Sequence, residues 1–180
     1  SATSLYDEIY DGEDGVNLAD IWIDKPSGVW NTSTSESICE QISNQWPESQ
    51  YHLEQCESRL ILDGMMFKTD SDGDEAAIPA VWHGIDEGLI DKVWMPTYSE
   101  LSSGRLAENS DEIVLDSHIA MDLDIEVGDT IFISSGYGKM EYEVVGIGFH
   151  SMHLYFAKEG SSIPADDGTF ATGYLTDSGL

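Results

Sequence analysis

Residues 111–133 constrain the fold more than any other part of the chain. The apolar run 113–115 predicts a strand, and the Asp116-Ser117 pair that ends it supplies a side-chain oxygen that can cap a helix. The apolar residues of that helix share one face: Ile119, Ala120 and Leu123. Val127-Gly128-Asp129 is typical of a turn, and residues 130–133 predict a second strand. We therefore expect a strand, a short helix, a turn and a strand that together nucleate folding.

Other segments predict one further helix and several strands. Residues 33–46 begin with the capping box Ser33-Thr34-Ser35-Glu36, carry apolar residues at four-residue spacing and stop at Pro47, which predicts a helix. Residues 16–24 predict a buried strand. Residues 50–67 predict two strands joined by a turn at Asp63-Gly64. Residues 78–85 and 141–147 predict strands with alternating faces.

The charge balance excludes some classes of partner. The chain has 180 residues, 35 of them acidic and 7 basic, which gives a formal net charge of -28. Such a surface repels phosphate backbones, so we expect no nucleic-acid binding. The 5 tryptophans and 8 tyrosines indicate a folded domain and not an acidic disordered tail. We expect salt to stabilise this domain, because screening weakens repulsion between its carboxylates.

Two cysteines, Cys39 and Cys56, lie 17 positions apart. In a reducing compartment they would be two buried thiols, whereas outside the cell a disulfide is the expected state. Neither cysteine lies in the basic or histidine-rich setting that lowers the pKa of a reactive thiol. We expect no catalytic role for either of them.

The sequence contains none of the common catalytic motifs and no complete set of metal ligands at a known spacing. The chain has no Gly-x-Ser-x-Gly, Walker loop, His-Glu-x-x-His or dinucleotide fingerprint. The acidic run 70–75 departs from calcium-loop spacing, since Gly73 comes at the fourth position and no Glu follows at the twelfth. His150 and His153 have the spacing of a zinc pair but no third ligand nearby in sequence. We expect no cofactor, and an exposed acidic turn at 70–75.

The central segment and its flanks resemble a known family. The pattern runs from Ala120 to Val127-Gly128-Asp129-Thr130, preceded by Ser103-Gly104-Arg105-Leu106 and followed by segments 141–147 and 150–155. It is similar to the extracytoplasmic domain of FtsX-like ABC transporter permeases, the MacB-like periplasmic core domain, from about Ala19 to the C-terminus. The matching structural positions are Arg59, Gly64, Gly104, Glu112, Ala120, Gly128 and Asp129. For Arg59 we expect a structural pairing with a carboxylate.

The resemblance implies a function and a fold. In the family, two permease copies join cytoplasmic ATPase subunits, and each copy places such a domain outside the membrane, where it moves as a lever or valve. The implied substrates or partners are a peptide, lipid, lipoprotein or extracellular protein. The implied fold is α+β with two lobes: residues 16–90 plus 151–180 form a membrane-proximal βαβ-type lobe, and residues 91–150 form an inserted, smaller β-rich lobe. Residues 1–15 would then be a leash or helix that follows a membrane segment.

Two further expectations concern partners. Trp94, Met95, Met152 and Tyr155 are candidates for a partner surface, with core filling as the alternative. The isolated chain is expected to be a monomer, because two bodies of the same high charge repel each other.

A second hypothesis is an autonomous surface or secreted binding module that resembles a double-psi β-barrel. Such a barrel is built from two interlocked halves, and the sequence offers one good copy of the helix, Gly-Asp and strand unit. This count favours the permease domain.

Overall fold

The structure is a computed structural model. It describes residues 19, 21–23, 32–45, 55–69, 73, 75–85, 93, 103–135, 138–148 and 166–180. Within these ranges the secondary-structure elements are α1 (Thr32–Gln45), β1 (Ile61–Thr69), β2 (Glu75–Gly84), β3 (Ser103–Gly104), β4 (Glu112–Asp116), α2 (Ser117–Leu123), β5 (Thr130–Ser134), β6 (Lys139–Gly148), β7 (Ala171–Leu175) and a 3₁₀ helix (Asp177–Gly179). The predicted α+β class is therefore confirmed, with strands as the main component.

Helix α1 is where the capping box predicts it. Ile38 and Ile42, which recur at four-residue spacing, are half-buried and lie on the same side of the helix. Cys39 on α1 forms a disulfide with Cys56, in the extended segment that leads into β1, and their Cα atoms are 5.8 Å apart. The predicted disulfide is thus present, and it fastens α1 to the start of the sheet.

Six strands close into a β-barrel. Around the barrel the order is β6, β4, β7, β2, β1 and β5, and β5 pairs with β6 to close the ring. The two-residue strand β3 adds to the far end of β6 beyond β5. The pairs β2 with β7 and β4 with β6 are parallel, and all other pairs are antiparallel.

The barrel consists of two similar halves that interlock. Each half is an antiparallel hairpin, β1 with β2 or β5 with β6, and β2 and β6 share one order of exposed and buried residues over all 10 positions. The third strand of each half lies beside the other half's hairpin: β4 follows β2 in the chain but pairs with β6, and β7 follows β6 but pairs with β2. Both third strands are buried along their whole length. The halves differ after them, because α2 follows β4 whereas only the 3₁₀ helix follows β7.

The barrel interior is apolar, and Trp82 is the largest fully buried side chain among the described residues. The other large, fully buried side chains come from different strands and from α2: Met66, Ile113, Leu115, Ile119, Ile133 and Leu175. Trp82 Nε1 donates a hydrogen bond of 3.0 Å to the Ser134 carbonyl oxygen. Tyr142 donates its hydroxyl to the Gly179 carbonyl oxygen at 2.6 Å, so the 3₁₀ helix is tied to the barrel.

The predicted hairpin turn at Asp63-Gly64 is wrong. β1 runs straight through both residues, which pair with Val81 and Ala80 of β2, and the connection to β2 lies in segment 70–74 instead. Gly64 has a different role, because a Cβ atom there would clash with the Ser134 carbonyl oxygen and the Trp82 ring. A residue without a side chain lets β1 approach β5 over the tryptophan.

Two other expectations change, and one strand is new. Ile21, Trp22 and Ile23 are 79%, 53% and 55% exposed and lie outside any strand, so the buried strand predicted there is wrong for these residues. Strand β7, which the sequence analysis missed, completes the barrel. The division into two lobes is not confirmed, because strands from both predicted lobes pair in one sheet.

No helix of the described ranges is long and apolar enough to cross a membrane.

Candidate functional site

The predicted central unit is confirmed element by element. β4 ends at Asp116, whose side chain caps α2 by accepting a 2.9 Å hydrogen bond from the His118 backbone amide. The helix ends at Asp124 in the left-handed conformation, with φ of 55°. Ile125 then donates its amide to the Ala120 carbonyl oxygen at 2.9 Å, which closes the helix C-terminus. Both turns that position α2 are therefore fixed by local hydrogen bonds.

The Gly128-Asp129 turn is attached to β6. Gly128 has φ of +98°, where glycine is favoured, and its amide donates to the Val144 carbonyl oxygen at 2.8 Å. The Asp129 carbonyl oxygen accepts from the Val144 amide at 2.8 Å, and the Asp129 carboxylate accepts from the Glu126 amide at 2.8 Å. Sequence spacing predicted the turn, and these bonds show what holds it.

A buried carboxylate lies at the other side of this unit. Glu112, at the start of β4, is 6% exposed. Its carboxylate accepts hydrogen bonds from both terminal nitrogens of Arg105, at 2.7 and 2.6 Å. It also accepts hydrogen bonds of 2.9 to 3.2 Å from the backbone amides of Glu108 and Asn109 and from the side-chain amide of Asn109. The Arg105 guanidinium and these amides hold the pKa of the Glu112 carboxyl well below its usual range. We call this group the Arg105–Glu112 clasp.

Gly104 brings the clasp against the barrel. It has φ of +82°, and a Cβ atom there would clash with the Val145 carbonyl oxygen. The close approach lets β3 pair with β6 and lets the Arg105 amide donate to the same Val145 oxygen at 3.0 Å. The motif glycines at 104 and 128 thus both fasten loops to β6.

At the opposite end of β4 from Glu112, the N-terminus of α2 holds a carboxylate and imidazole pair. Asp116 is fully buried, and its Oδ1 lies 2.8 Å from His118 Nδ1. This carboxylate raises the pKa of the His118 imidazole above its ordinary value, against the opposing effect of burial. The second Asp116 oxygen and the buried Ser117 hydroxyl have no hydrogen-bond partner in the part of the chain that the structure describes. The Ser117 hydroxyl is therefore not arranged with His118 as a serine nucleophile with its base.

A shallow groove lies along α2 where β3 meets β6. Its volume is about 220 Å³, and its lining combines apolar, hydroxyl and carboxylate groups: Ser103, Ser117, Ala120, Met121, Asp124, Ile125, Glu126 and Ile147. Most of the lining residues belong to β3, to α2 and to the loop before Gly128. The motif glycines Gly104 and Gly128 are therefore close in sequence to the groove. It is the concave feature that we take as the candidate functional site.

The structure brings most of the motif positions together. Gly104, Glu112, Ala120, Gly128 and Asp129 all lie in α2, β3, β4 or their connecting turns. Arg59 and Gly64 lie apart from them, in the lead into β1 and in β1 itself. As predicted, Arg59 pairs with a carboxylate, that of Glu57 at 3.0 Å.

Several predicted features lie outside the described residues. They are the partner-surface candidates Trp94, Met95, Met152 and Tyr155, the histidine pair at 150 and 153, and most of the acidic run 70–75. Within the described ranges, no three His, Cys, Asp or Glu side chains are grouped so that they could hold a metal ion.

Sequence reasoning missed the Arg105–Glu112 clasp, the Asp116–His118 pair and the orphaned Ser117 hydroxyl. A signal for the clasp did exist, since Glu112 is a charged residue at the start of a strand that is buried along its whole length, and a buried charge needs a partner. No protein-family model and no curated protein sequence matches the chain. We therefore infer function from the motif and from the geometry around the groove.

Proposed function

We propose that this chain is the extracytoplasmic domain of an FtsX-like ABC transporter permease. The observation that carries the proposal is the convergence of the motif residues. Gly104, Glu112 and the Gly128-Asp129 turn belong to three separate segments, and each has a structural task in one unit beside β6. This arrangement supports the proposal, because it gives a physical reason for the residue type at each of these motif positions.

Two further features support a location outside the cytoplasm. The Cys39–Cys56 disulfide belongs to an oxidising compartment. The net charge of -28 suits a solvated exterior surface and opposes contact with anionic lipid headgroups. In the proposed assembly a second permease copy and cytoplasmic ATPase subunits complete the transporter. Parts from both ends of this chain would lie nearest the membrane, on its extracellular or periplasmic side.

The proposed activity is mechanical. ATP-driven closure of the cytoplasmic subunits moves the membrane helices, and this domain transmits the movement to a peptide, lipid, lipoprotein or extracellular protein. A barrel closed by hydrogen bonds around its whole circumference is stiff enough to move as one body.

The test reads the coding sequence on both sides of residues 1 and 180. We expect an apolar run of about 20 residues on each side, enough for a membrane helix. We also expect an ATPase subunit to co-purify with the full-length protein in detergent. A coding region without flanking apolar runs would overturn the proposal.

The closed barrel itself favours a second candidate function. Two interlocked halves are the architecture expected of an autonomous binding module of the double-psi type, and the structure contains both hairpins. Under this candidate the protein is secreted or held at the surface and binds a peptide or protein partner without any ATPase. A signal peptide and a stop codon around the same coding region would favour this candidate over the permease domain.

A further inference from the structure

The groove along α2 contains a buried polar atom that points to a ligand. Ser117 is 1% exposed, it borders the groove, and its hydroxyl has no hydrogen-bond partner among the described residues. A buried hydroxyl that forms no hydrogen bond costs stability, so such groups usually have a partner in the functional state. Because Ser117 lines the groove, rotation of its side chain can present the hydroxyl to a group bound there.

The rim of the groove is acidic. Asp124 and Glu126 are exposed, and no described residue pairs with either carboxylate. Both follow the C-terminus of α2, where the backbone carbonyl groups also carry partial negative charge. Hydrogen-bond acceptors and negative charge at one end of the groove favour a cationic group there.

The walls between these polar groups are apolar. Ile125 and Ile147 are partly buried, and Met121 is 57% exposed on the same groove. Methionine adapts its shape to a bound chain, and exposed apolar surface beside a carboxylate fits the methylene stem of a long basic side chain. The groove volume of about 220 Å³ lies below the roughly 300 Å³ at which small-molecule pockets begin, so it suits one side chain.

We propose that this groove binds a lysine or arginine side chain of a basic polypeptide partner. The stem of the side chain lies against Met121, Ile125 and Ile147, and its charged end donates to the Asp124 and Glu126 carboxylates. The Ser117 hydroxyl accepts a further hydrogen bond from the bound chain. The net charge of -28 attracts such a partner before contact. This binding site goes beyond the permease proposal and does not depend on it.

The experiment titrates the 180-residue chain with a short blocked peptide that has one lysine among glycine and serine residues. Amide NMR spectra at about 0.15 M NaCl, where the screening length is about 8 Å, report where the peptide binds. We expect shifts confined to the amides of residues 117, 125 and 147 and their neighbours. The matched probe is the same peptide with norleucine, which keeps most of the stem and lacks the charge, and its binding should be weaker by about tenfold.

Variants separate the groove from the general acidity of the surface. Asp124→Asn combined with Glu126→Gln should weaken the lysine peptide about fivefold, as expected for loss of exposed charge pairs. Asp63→Asn combined with Glu141→Gln removes the same charge outside the groove and should change the Kd less than about twofold. All four positions are exposed, so these variants keep the barrel core.

A third variant tests the buried hydroxyl. Ser117→Ala should weaken the lysine peptide about fivefold, while the Tm of the free protein stays the same or rises because an unpaired polar atom has gone. Equal binding of the lysine and norleucine peptides would overturn the proposal. So would shifts spread over the whole acidic surface, an equal effect of the two charge pairs, or no binding at millimolar peptide.

Discussion

At the scale of single residues, Glu112 is a buried charge whose partners hold the start of β4 in place. Its carboxylate is buried and accepts five hydrogen bonds, two of them from Arg105. We expect Glu112→Gln to lower the free energy of unfolding by about 2–3 kcal/mol at neutral pH, since a neutral amide cannot accept all five donors. Urea denaturation measures this change.

The pH dependence of that loss has a defined sign. Because the pKa of Glu112 is depressed in the folded state, its stabilisation is present above the unfolded pKa of about 4.3 and disappears as pH falls below it. The gap between wild type and Glu112→Gln should therefore shrink in acid. The neighbouring exposed carboxylate offers a control, and Glu108→Gln should change stability by less than about 0.5 kcal/mol. A gap that stays constant down to about pH 2 would contradict the assignment.

His118 gives the opposite pH response. The buried Asp116 carboxylate, with a smaller contribution from Asp122, raises the pKa of the imidazole in the folded state. Its contribution to stability is complete below the unfolded pKa of about 6.5 and disappears as pH rises through the folded value. NMR titration should place the His118 pKa above about 6.5, and Asp116→Asn, which keeps a helix-capping side chain, should lower it. An unchanged pKa in that variant would show that the pair does not set it.

At the scale of elements, β1 depends on the absence of a side chain at Gly64. A Cβ atom there has to displace either the β5 backbone or the buried Trp82 ring. We expect Gly64→Ala to lower the free energy of unfolding by about 3 kcal/mol, near the upper end of the cost of overpacking.

Gly73 offers the matched control for that change. It has φ of +86° and open space around its Cα, so Gly73→Ala should cost only about 1 kcal/mol of backbone strain. Thermal unfolding of the two variants compares a packing clash with a conformational penalty. Equal losses would mean that β1 and β5 can separate without cost.

At the scale of the whole molecule, charge sets the conditions under which the protein is stable. The chain has 35 acidic and only 7 basic residues, so most carboxylates have no neighbouring positive charge to balance them. These carboxylates repel one another in the folded state. Raising NaCl from about 0.01 M to about 1 M shortens the screening length from about 30 Å to about 3 Å, so the Tm should rise. Sorbitol at equal osmolality leaves the charges unscreened and should raise the Tm less. A Tm that falls with salt would contradict this account.

The same repulsion bears on assembly. We expect the isolated chain to be a monomer at about 0.15 M NaCl, because two bodies with a charge of -28 approach each other against their own fields. Light scattering measures the molar mass directly. A value twice that of the 19.8 kDa chain would show an apolar interface strong enough to outweigh the charge.

The sequence by itself determined the features that depend on neighbouring residues. Helix α1, the strand, helix, turn and strand around Gly128, and strands β2 and β6 follow from apolar spacing, capping and turn residues within short windows. The sequence also determined which cysteines can pair, because two cysteines allow one intramolecular bond, but it predicted the disulfide only for an oxidising compartment.

Only the tertiary structure decided what pairs across long distances in the chain. β7 has few local signals, yet it completes the barrel next to β2, where Thr172 donates its hydroxyl to Val81, 91 positions earlier. Gly64 looked like a turn residue because the proximity of Trp82 and Ser134 is invisible in sequence. The Arg105–Glu112 clasp and the groove beside Ser117 likewise exist only once β3, β4 and α2 meet at β6. Local propensity fixes which segments can be strands, but hydrogen-bond register and burial between distant segments fix how they close.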